Sequence, residues 1–298
     1  MKMNLTPQHV VDSHLHVWSD SGCPYAEGKA PPAELAGEVS SVESLLAHME
    51  STGTAATLIV QPANYMFDHS YMISCMERFP DKFGGMMLLD PTLSPAEACA
   101  TVRQLAKKGV TGIRFNPALW AAEMDDSVGV AVFELCAELE LVVGVMAFNG
   151  LVPQIPSIRR LCTARPTVAV VIDHMGFPRA SPGEAPNGQS FDEEAWAALL
   201  DLGKDFSQIH VKISALFRVS SEGGAYADLF ARFQALAVAF GSERLLYGSD
   251  FPWAMLHGKY GDELTVVRAW AEATFDKQGA AAVLGGNASR LFKLPVTG

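Results

Sequence analysis

Val10-Val11-Asp12-Ser13-His14-Leu15-His16-Val17 is the first of eight apolar, β-branched runs in this chain of 298 residues. Its composition predicts a buried β-strand. Successive side chains of an extended strand point to opposite faces, so His14 and His16 are predicted to point to the same side. Two imidazoles in that arrangement can converge on one metal ion or on one substrate oxygen.

The other seven runs predict a complete barrel. They cover residues 55–61, 84–90, 110–116, 141–148, 168–174, 209–214 and 244–250, and segments with helical periodicity separate them. Alternating strands and helices predict parallel strands joined by crossover helices. Eight such units favour one α/β domain over residues 1–298, a (β/α)₈ TIM barrel. An open doubly wound sheet would carry a GxGxxG motif after the first strand, where this sequence has none.

Two helix starts carry a capping-box pattern, in which Ser or Thr precedes Glu by three residues. Ser40 precedes Glu43 in this way, and Ser94 precedes Glu97. The patterns predict helices that begin near residues 42 and 95. Gly53 stands just beyond the first of these helices, where a C-terminal cap is expected.

The composition limits the classes of partner and compartment. The chain is 49% hydrophobic and 18% charged, which is typical of a globular protein with a large core. A net charge of −11 argues against nucleic acid and anionic membranes as partners. The five cysteines form no metal or disulfide framework, and no apolar stretch reaches the roughly 18 residues of a membrane span. We therefore expect a cytoplasmic protein.

Four polar residues lie where a barrel places its active site, at the carboxyl ends of the strands. His14 and His16 end the first predicted strand, His174 ends the sixth and Asp250 ends the eighth. A single buried histidine is more often a hydrogen-bonded core residue than a catalytic one. Four such groups at the same end of the predicted barrel favour a catalytic site instead.

Further side chains near strand ends are predicted to bind the substrate. Arginines can hold a carboxylate through two parallel hydrogen bonds, and aromatic faces suit a planar ring. A lysine on the seventh strand, Lys212, lies deeper and is expected to pair with a buried acid. The predicted substrate-binding residues are Arg114, Arg218, Gln61, Asn116, His69, Trp18, Phe148 and Trp253.

A series of motifs resembles, in order, those of the amidohydrolase superfamily, and specifically its amidohydrolase-related branch. They lie at residues 11–18, 59–62, 112–116, 172–176, 211–214, 248–252 and 286–291. The run Asp173-His174-Met175-Gly176-Phe177-Pro178 is most similar to the lactonases that include 2-pyrone-4,6-dicarboxylate hydrolases and sugar-lactone hydrolases. The resemblance implies a lactone hydrolase in which arginines at matching motifs hold substrate carboxylates. Trp253 and His69 depart from the pyrone hydrolase pattern, which leaves the substrate open.

The resemblance raises the question of a metal. The superfamily often bridges two metals with a carboxylated lysine at the end of strand four, but strand four ends here in Arg114-Phe115-Asn116. A single zinc on His14, His16, His174 and Asp250 stays open, since three nitrogens and one oxygen suit tetrahedral zinc.

A metal-free site uses the same four groups differently. Asp250 would take a proton from water while the three imidazoles donate hydrogen bonds to the carbonyl oxygen. We expect this second arrangement, because a lactone has a better leaving group than an amide and the lactonase resemblance implies it.

The sequence therefore predicts a hydrolase for a small anionic lactone, such as a pyrone dicarboxylate or a muconolactone. Three alternatives stay open. They are a mononuclear zinc decarboxylase of the same branch, a sugar-lactone hydrolase, and a catalytically silent barrel that binds an anion.

Overall fold

A computed structural model describes residues 9–19, 22–178 and 191–294, and within them eight parallel strands form a nearly closed barrel. The strands are β1 (Val10–Leu15), β2 (Thr54–Val60), β3 (Phe83–Leu88), β4 (Val110–Phe115), β5 (Val142–Val145), β6 (Val170–Ile172), β7 (Ile209–Ile213) and β8 (Leu245–Tyr247). Each strand pairs with the next one in chain order. The eight predicted strands and the (β/α)₈ class are confirmed.

Helices connect the strands and surround them. They are α1 (Val42–Thr52), α2 (Ser70–Arg78), α3 (Pro95–Ala106), α4 (Ser127–Leu139), α5 (Ile155–Ala164), α6 (Glu193–Asp205), α7 (Leu216–Val219), α8 (Phe230–Phe240), α9 (Asp262–Thr274), α10 (Lys277–Ala281) and α11 (Asn287–Phe292). A π-helical turn, Ala282–Gly286, joins the last two. No helix in the described ranges has the length and apolarity needed to cross a membrane.

One of the two predicted capping boxes is confirmed and the other is wrong. Ser94 and Glu97 exchange both hydrogen bonds of the box at the start of α3. At α1 the capping residue is Ser41, whose side chain accepts from the backbone of Ser44. Ser40 instead donates its hydroxyl to a backbone carbonyl of the preceding turn. Two adjacent serines allow either to cap, and the turn before the helix selects the second.

The barrel closes between β1 and β8 through very few contacts. Leu15 and Phe251 form an isolated parallel bridge. The backbone N–H of His16 donates to the carbonyl of Phe251 (2.7 Å), and the N–H of Asp250 donates to the carbonyl of His14 (2.8 Å). This seam places the residues that follow β8 directly beside the end of β1.

The lower part of the barrel is a packed apolar core. Met86 fills the space beside Gly112 and Gly144, where an added Cβ would lie 2.7 and 3.0 Å from its side chain. Helix α11 and Leu294 close the barrel from below. The apolar residues of this interior are Val11, Ala56, Leu58, Val60, Met86, Val142, Val171, Leu246, Ala288, Phe292 and Leu294. The central polar groups therefore lie above this layer, toward the carboxyl ends of the strands.

Candidate active site

A β-bulge directs His14, in β1, and His16, just after it, toward the barrel axis. Between Asp12 and Leu15 the strand contains one residue more than the facing stretch of β2. The extra residue changes the alternation of side chains, so that Val11 as well as His14 and His16 can face the interior. The two imidazole rings meet edge to face with centroids 5.2 Å apart, as the sequence predicts for a convergent pair.

A left-handed turn directs His174 into the same space. Strand β6 ends at Ile172, and both His174 (φ +50°) and Met175 (φ +54°) adopt the left-handed conformation. Adjacent residues of a regular strand would point to opposite faces, but this turn brings Asp173 and His174 to one region. The ring centroids of His174 and His14 lie 4.3 Å apart.

Asp250 completes the group from the other side of the seam. It is buried and adopts a left-handed conformation (φ +56°), three residues after the end of β8. Its Oδ1 lies 3.5 Å from Nε2 of His16 and 3.8 Å from Nε2 of His14. Its Oδ2 accepts a hydrogen bond from Nε of Arg218 at 3.2 Å. The structure thus brings together the four residues predicted to be catalytic.

A buried charge network lies directly beneath them. Asp173 accepts from Nε of Arg114 (3.2 Å), and its Oδ1 lies 3.2 Å from Nζ of Lys212 and 3.3 Å from Nδ1 of His14. Lys212 also makes a 3.1 Å hydrogen bond to Nδ1 of His14. Lys212 thus pairs with a buried acid, as the sequence predicts, but the sequence does not identify that acid as Asp173. The position of Asp173 directly before His174 is the available signal, and strand alternation argues against it.

The pKa values of these groups follow from burial and from neighbouring charges. Burial, reinforced by Arg114, lowers the pKa of His16 to about 3. Burial also lowers the pKa of His14 and of His174 well below the ordinary value for histidine. Burial raises the pKa of Asp250 to about 6, although Arg218 acts in the opposite direction. At neutral pH the three imidazoles are therefore neutral and Asp250 is mostly ionised.

The hydrogen bonds of His16 and His174 assign different roles to them. His16 donates from Nδ1 to the carbonyl of Val60 (2.8 Å), so its neutral ring presents a lone pair at Nε2. Nδ1 of His174 lies 2.9 Å from the hydroxyl of Ser214. Donation by that hydroxyl leaves the N–H of His174 at Nε2. The expected set of three carbonyl donors therefore needs correction, because a neutral His16 can only accept at Nε2.

A cavity of about 230 Å³ opens above these groups. Its polar lining consists of His16, Asn64, Arg114, His174, Arg218 and Asp250. Its apolar lining consists of Pro62, Ala63, Met146, Phe148, Phe177 and Trp253. Of the predicted substrate-binding residues, Arg114, Arg218, Phe148 and Trp253 thus reach the cavity. Sequence patterns did not single out Pro62, Ala63, Asn64 or Met146, because loop conformation brings them to it.

The other four predicted substrate-binding residues do not line the cavity. Gln61 donates from Nε2 to two carbonyls of the loop after β2, at 2.7 and 3.1 Å. Nε2 of His69 accepts from the last backbone N–H of β3, and Asn116 caps the turn after β4. Trp18 donates to a backbone carbonyl and packs its ring against Trp253. These side chains hold loops at the mouth in place.

The donor set fits a metal ion only in part. Two groups of side chains bring ligand atoms within 4.8 Å of one another, namely His14, His16 and Asp250, and His14, Asp173 and His174. His16 suits a metal, since ligating histidines usually donate their other N–H to a carbonyl or carboxylate. His14 belongs to both groups, but Nζ of Lys212 lies 3.1 Å from its Nδ1, and donation from that ammonium would place the ring proton at Nε2, where no metal could then bind.

Sequence comparison supports a family assignment. The sequence model of the family described as Amidohydrolase matches residues 11–294. A curated protein of Burkholderia ambifaria, L-fucono-1,5-lactonase, is 27% identical over 300 aligned positions, which cover 95% of each chain.

Structure comparison finds the same barrel in other proteins. A probable 2-pyrone-4,6-dicarboxylic acid hydrolase from Acinetobacter baumannii, with citric acid bound, superposes with a TM-score of 0.76 at 20% identity. That match covers 96% of this chain and 99% of the other. An amidohydrolase from Burkholderia multivorans with bound zinc gives a TM-score of 0.74 at 23% identity, over 96% of this chain and 100% of the other. At these identities the likeness concerns the fold.

Proposed function

The chain belongs to the amidohydrolase family, and from this premise we propose that it hydrolyses a lactone, a cyclic carboxylic ester. One observation carries the proposal: the buried carboxylate of Asp250 lies within 3.8 Å of the neutral imidazoles of His14 and His16, and it lines a small cavity together with His16 and His174. The L-fucono-1,5-lactonase of B. ambifaria, similar over 95% of its length, supports the same class of reaction.

Asp250 and His16 activate the attacking water. Both present acceptor atoms, Oδ1 and Nε2, separated by 3.5 Å, so one water can donate a hydrogen to each. Asp250 takes the proton as the water oxygen attacks the lactone carbonyl, and the resulting carboxylic acid later donates that proton to the departing ring oxygen. The products are one hydroxyl or enol group and one carboxylic acid, which loses its proton to solvent and becomes a carboxylate.

His174 and His14 stabilise the oxygen that becomes negative during attack. Each presents an N–H at Nε2 when its Nδ1 accepts from Ser214 or from Lys212, respectively. Preorganised donors of this kind each contribute about 10²–10³ in rate. Nε2 of His14 has no hydrogen-bond partner among the described residues, which is the state expected of a donor that substrate would satisfy.

The arginines at the cavity favour a lactone that carries a carboxylate. Arg114 and Arg218 both line the cavity, and each uses Nε for an internal ion pair, with Asp173 and with Asp250 respectively. Their terminal nitrogens can therefore bind a substrate carboxylate. A muconolactone and a pyrone dicarboxylate both meet this requirement.

A neutral sugar lactone is the second candidate. The curated L-fucono-1,5-lactonase covers this chain almost from end to end at 27% identity, which favours this candidate. The cavity argues the other way, because half of its described lining residues are apolar and Asn64 is the single neutral amide among them. A sugar lactone carries several hydroxyls that would each need a partner.

A substrate panel and one variant test the proposal. Muconolactone, 2-pyrone-4,6-dicarboxylate and L-fucono-1,5-lactone are assayed for proton release, with and without a chelator. We expect turnover of at least one lactone that the chelator does not change. The Asp250→Asn variant should lower kcat by about 10²–10⁴, whereas Asp201→Asn, an exposed control on α6, should not.

Other results would contradict the proposal in distinct ways. Loss of turnover on chelation, with zinc bound in stoichiometric amount, would indicate the metal-dependent alternative. Release of carbon dioxide from a hydroxybenzoate would indicate a decarboxylase. Tight lactone binding without turnover, unchanged in Asp250→Asn, would indicate a binding protein.

A further inference from the structure

We propose that Lys212 fixes the tautomer of His14 and thereby keeps the site a hydrogen-bond donor rather than a metal centre. Lys212 is then a positioning residue that acts on the reaction through His14. The catalytic consequence rests on the proposed lactone hydrolysis, but the tautomer itself can be measured without any substrate.

The contacts of Lys212 make it the hydrogen-bond donor to His14. Its side chain is fully buried on β7, and Nζ lies 3.1 Å from Nδ1 of His14 with hydrogen-bond geometry. A charged lysine has only donors, so a hydrogen bond from it makes Nδ1 the acceptor and places the proton of the neutral ring at Nε2. Asp173, 3.2 Å from Nζ, and Arg114 on the far side of Asp173 complete the ion pairs that hold the ammonium there.

Asp173 offers His14 a competing hydrogen bond. Oδ1 of Asp173 lies 3.3 Å from Nδ1 of His14 and 3.2 Å from Nζ of Lys212, so either group can donate to it. If Nδ1 donated to it, Nε2 of His14 would carry a lone pair. A carboxylate that accepts from a ligating histidine is the usual arrangement at zinc sites. Lys212 therefore decides between the two tautomers.

The tautomer of His14 decides which kind of ligand its Nε2 can bind. With Lys212 present, Nε2 of His14 carries a hydrogen, which suits a developing oxyanion and repels a cation. Without Lys212, His14 would join His16 and Asp250, whose ligand atoms already lie within 4.8 Å of one another. Three ligands and an open position make a complete catalytic zinc site.

Two measurements test the proposal. The first uses ¹⁵N-histidine-labelled protein and assigns the His14 signals by difference against the His14→Gln variant. We expect the tautomer with hydrogen at Nε2 for His14 and the one with hydrogen at Nδ1 for His16. The second titrates Zn²⁺ into the wild type and into Lys212→Met, which should bind zinc at least tenfold more tightly and show His14 in the other tautomer.

Matched variants exclude a general effect of losing a lysine. Lys204→Met removes an exposed lysine of α6 that pairs with Asp201, and it should leave both readouts unchanged. Lys212→Arg retains a buried cationic donor and should retain the wild-type tautomer and weak zinc binding. Circular dichroism establishes that each variant is folded.

A His14 ring with hydrogen at Nδ1 in the wild type would overturn the proposal, and so would equal zinc affinity in the wild type and a folded Lys212→Met. Should Lys212→Met fail to fold, the wild-type spectrum decides alone. Failure of the lactonase assay with the expected tautomer would contradict the proposed function and leave this inference standing.

Discussion

At Asp250, burial and a neighbouring cation act in opposite directions. Burial raises the pKa of the carboxyl to about 6, and Arg218 limits that rise. A general base works in its deprotonated form and is most effective when its pKa lies near the working pH. The position of this residue between a buried seam and a half-buried arginine therefore suits it to accept a proton near neutral pH.

We expect kcat/KM for a lactone to rise with pH and to level off above about pH 6. As the proposed general base, Asp250 would be protonated and inactive below its pKa, so activity should fall about tenfold per pH unit there. The histidines add no second slope to the pH–rate profile in this range, since burial lowers the pKa of His16 to about 3. A pH–rate profile from pH 4 to 9 measures this. Activity that increases as the pH falls would contradict the role of Asp250.

Gly248 shows how closely the seam is packed around His14. A Cβ at this position would lie 2.7 Å from Cβ of His14 and 3.1 Å from its backbone nitrogen. We expect Gly248→Ala to lower the free energy of unfolding by about 1–3 kcal/mol. Because His14 moves, the variant should also lower kcat, and by a larger factor than any change in KM. Gly223→Ala, where nothing lies within 4 Å, is the control and should stay within about 0.5 kcal/mol. Urea unfolding and steady-state kinetics measure both, and an unchanged Gly248→Ala would refute the close contact.

Arg218 is the cation that a substrate carboxylate would meet at the mouth. Its guanidinium lies between the rings of Phe217 (4.9 Å) and Trp253 (5.4 Å), which hold it in place. We expect Arg218→Gln to raise KM at least tenfold more for a carboxylate-bearing lactone than for a neutral one, since an ion pair is lost only with the former. Equal effects on both substrates would assign Arg218 to the support of Asp250 alone.

At the scale of elements, the sequence predicts where the eight strands lie better than it predicts which of their side chains face the barrel axis. Buried β-branched runs identify the strands because each run must be apolar on both faces. The alternation of side chains between the two faces of a strand is broken at two places in the candidate site. The bulge between Asp12 and Leu15 and the left-handed turn at His174 both change which side chains face the axis. Such local changes depend on neighbouring strands, so the sequence indicated His14 and His174 but not Asp173.

The capping box of α3 is an element-scale feature that the sequence predicts correctly. Ser94 accepts from the backbone of Glu97, and Glu97 accepts in return from the backbone N–H of Ser94. We expect Ser94→Ala to lower the free energy of unfolding by about 1 kcal/mol. Ser51→Ala, at the far end of α1, removes only a hydroxyl bond to the helix's own carbonyl and should be nearly neutral. Urea unfolding compares them, and equal losses would contradict the capping role.

At the scale of the whole molecule, the barrel is divided into an apolar floor and a charged upper layer. Lys212, Asp173 and Arg114 are buried directly above a layer of aliphatic side chains. Low polarity below and protein walls around them strengthen their mutual attraction and lower the pKa of the nearby histidines. The floor therefore contributes to the chemistry of the site as well as to stability.

Helix α11 completes that floor, so a substitution far from the cavity should affect both properties. The buried ring of Phe292 in α11 packs into the barrel interior, and Nζ of Lys212 lies 5.7 Å from its centroid. We expect Phe292→Ala to lower the free energy of unfolding by about 3–5 kcal/mol through the cavity it leaves. It should also lower kcat, because Lys212 loses the surface beneath it. Val238→Ala, nine-tenths exposed on α8, is the control. Guanidinium unfolding and steady-state kinetics on the folded fraction measure the two effects. A destabilised variant with unchanged kcat would contradict the influence of the floor on the site.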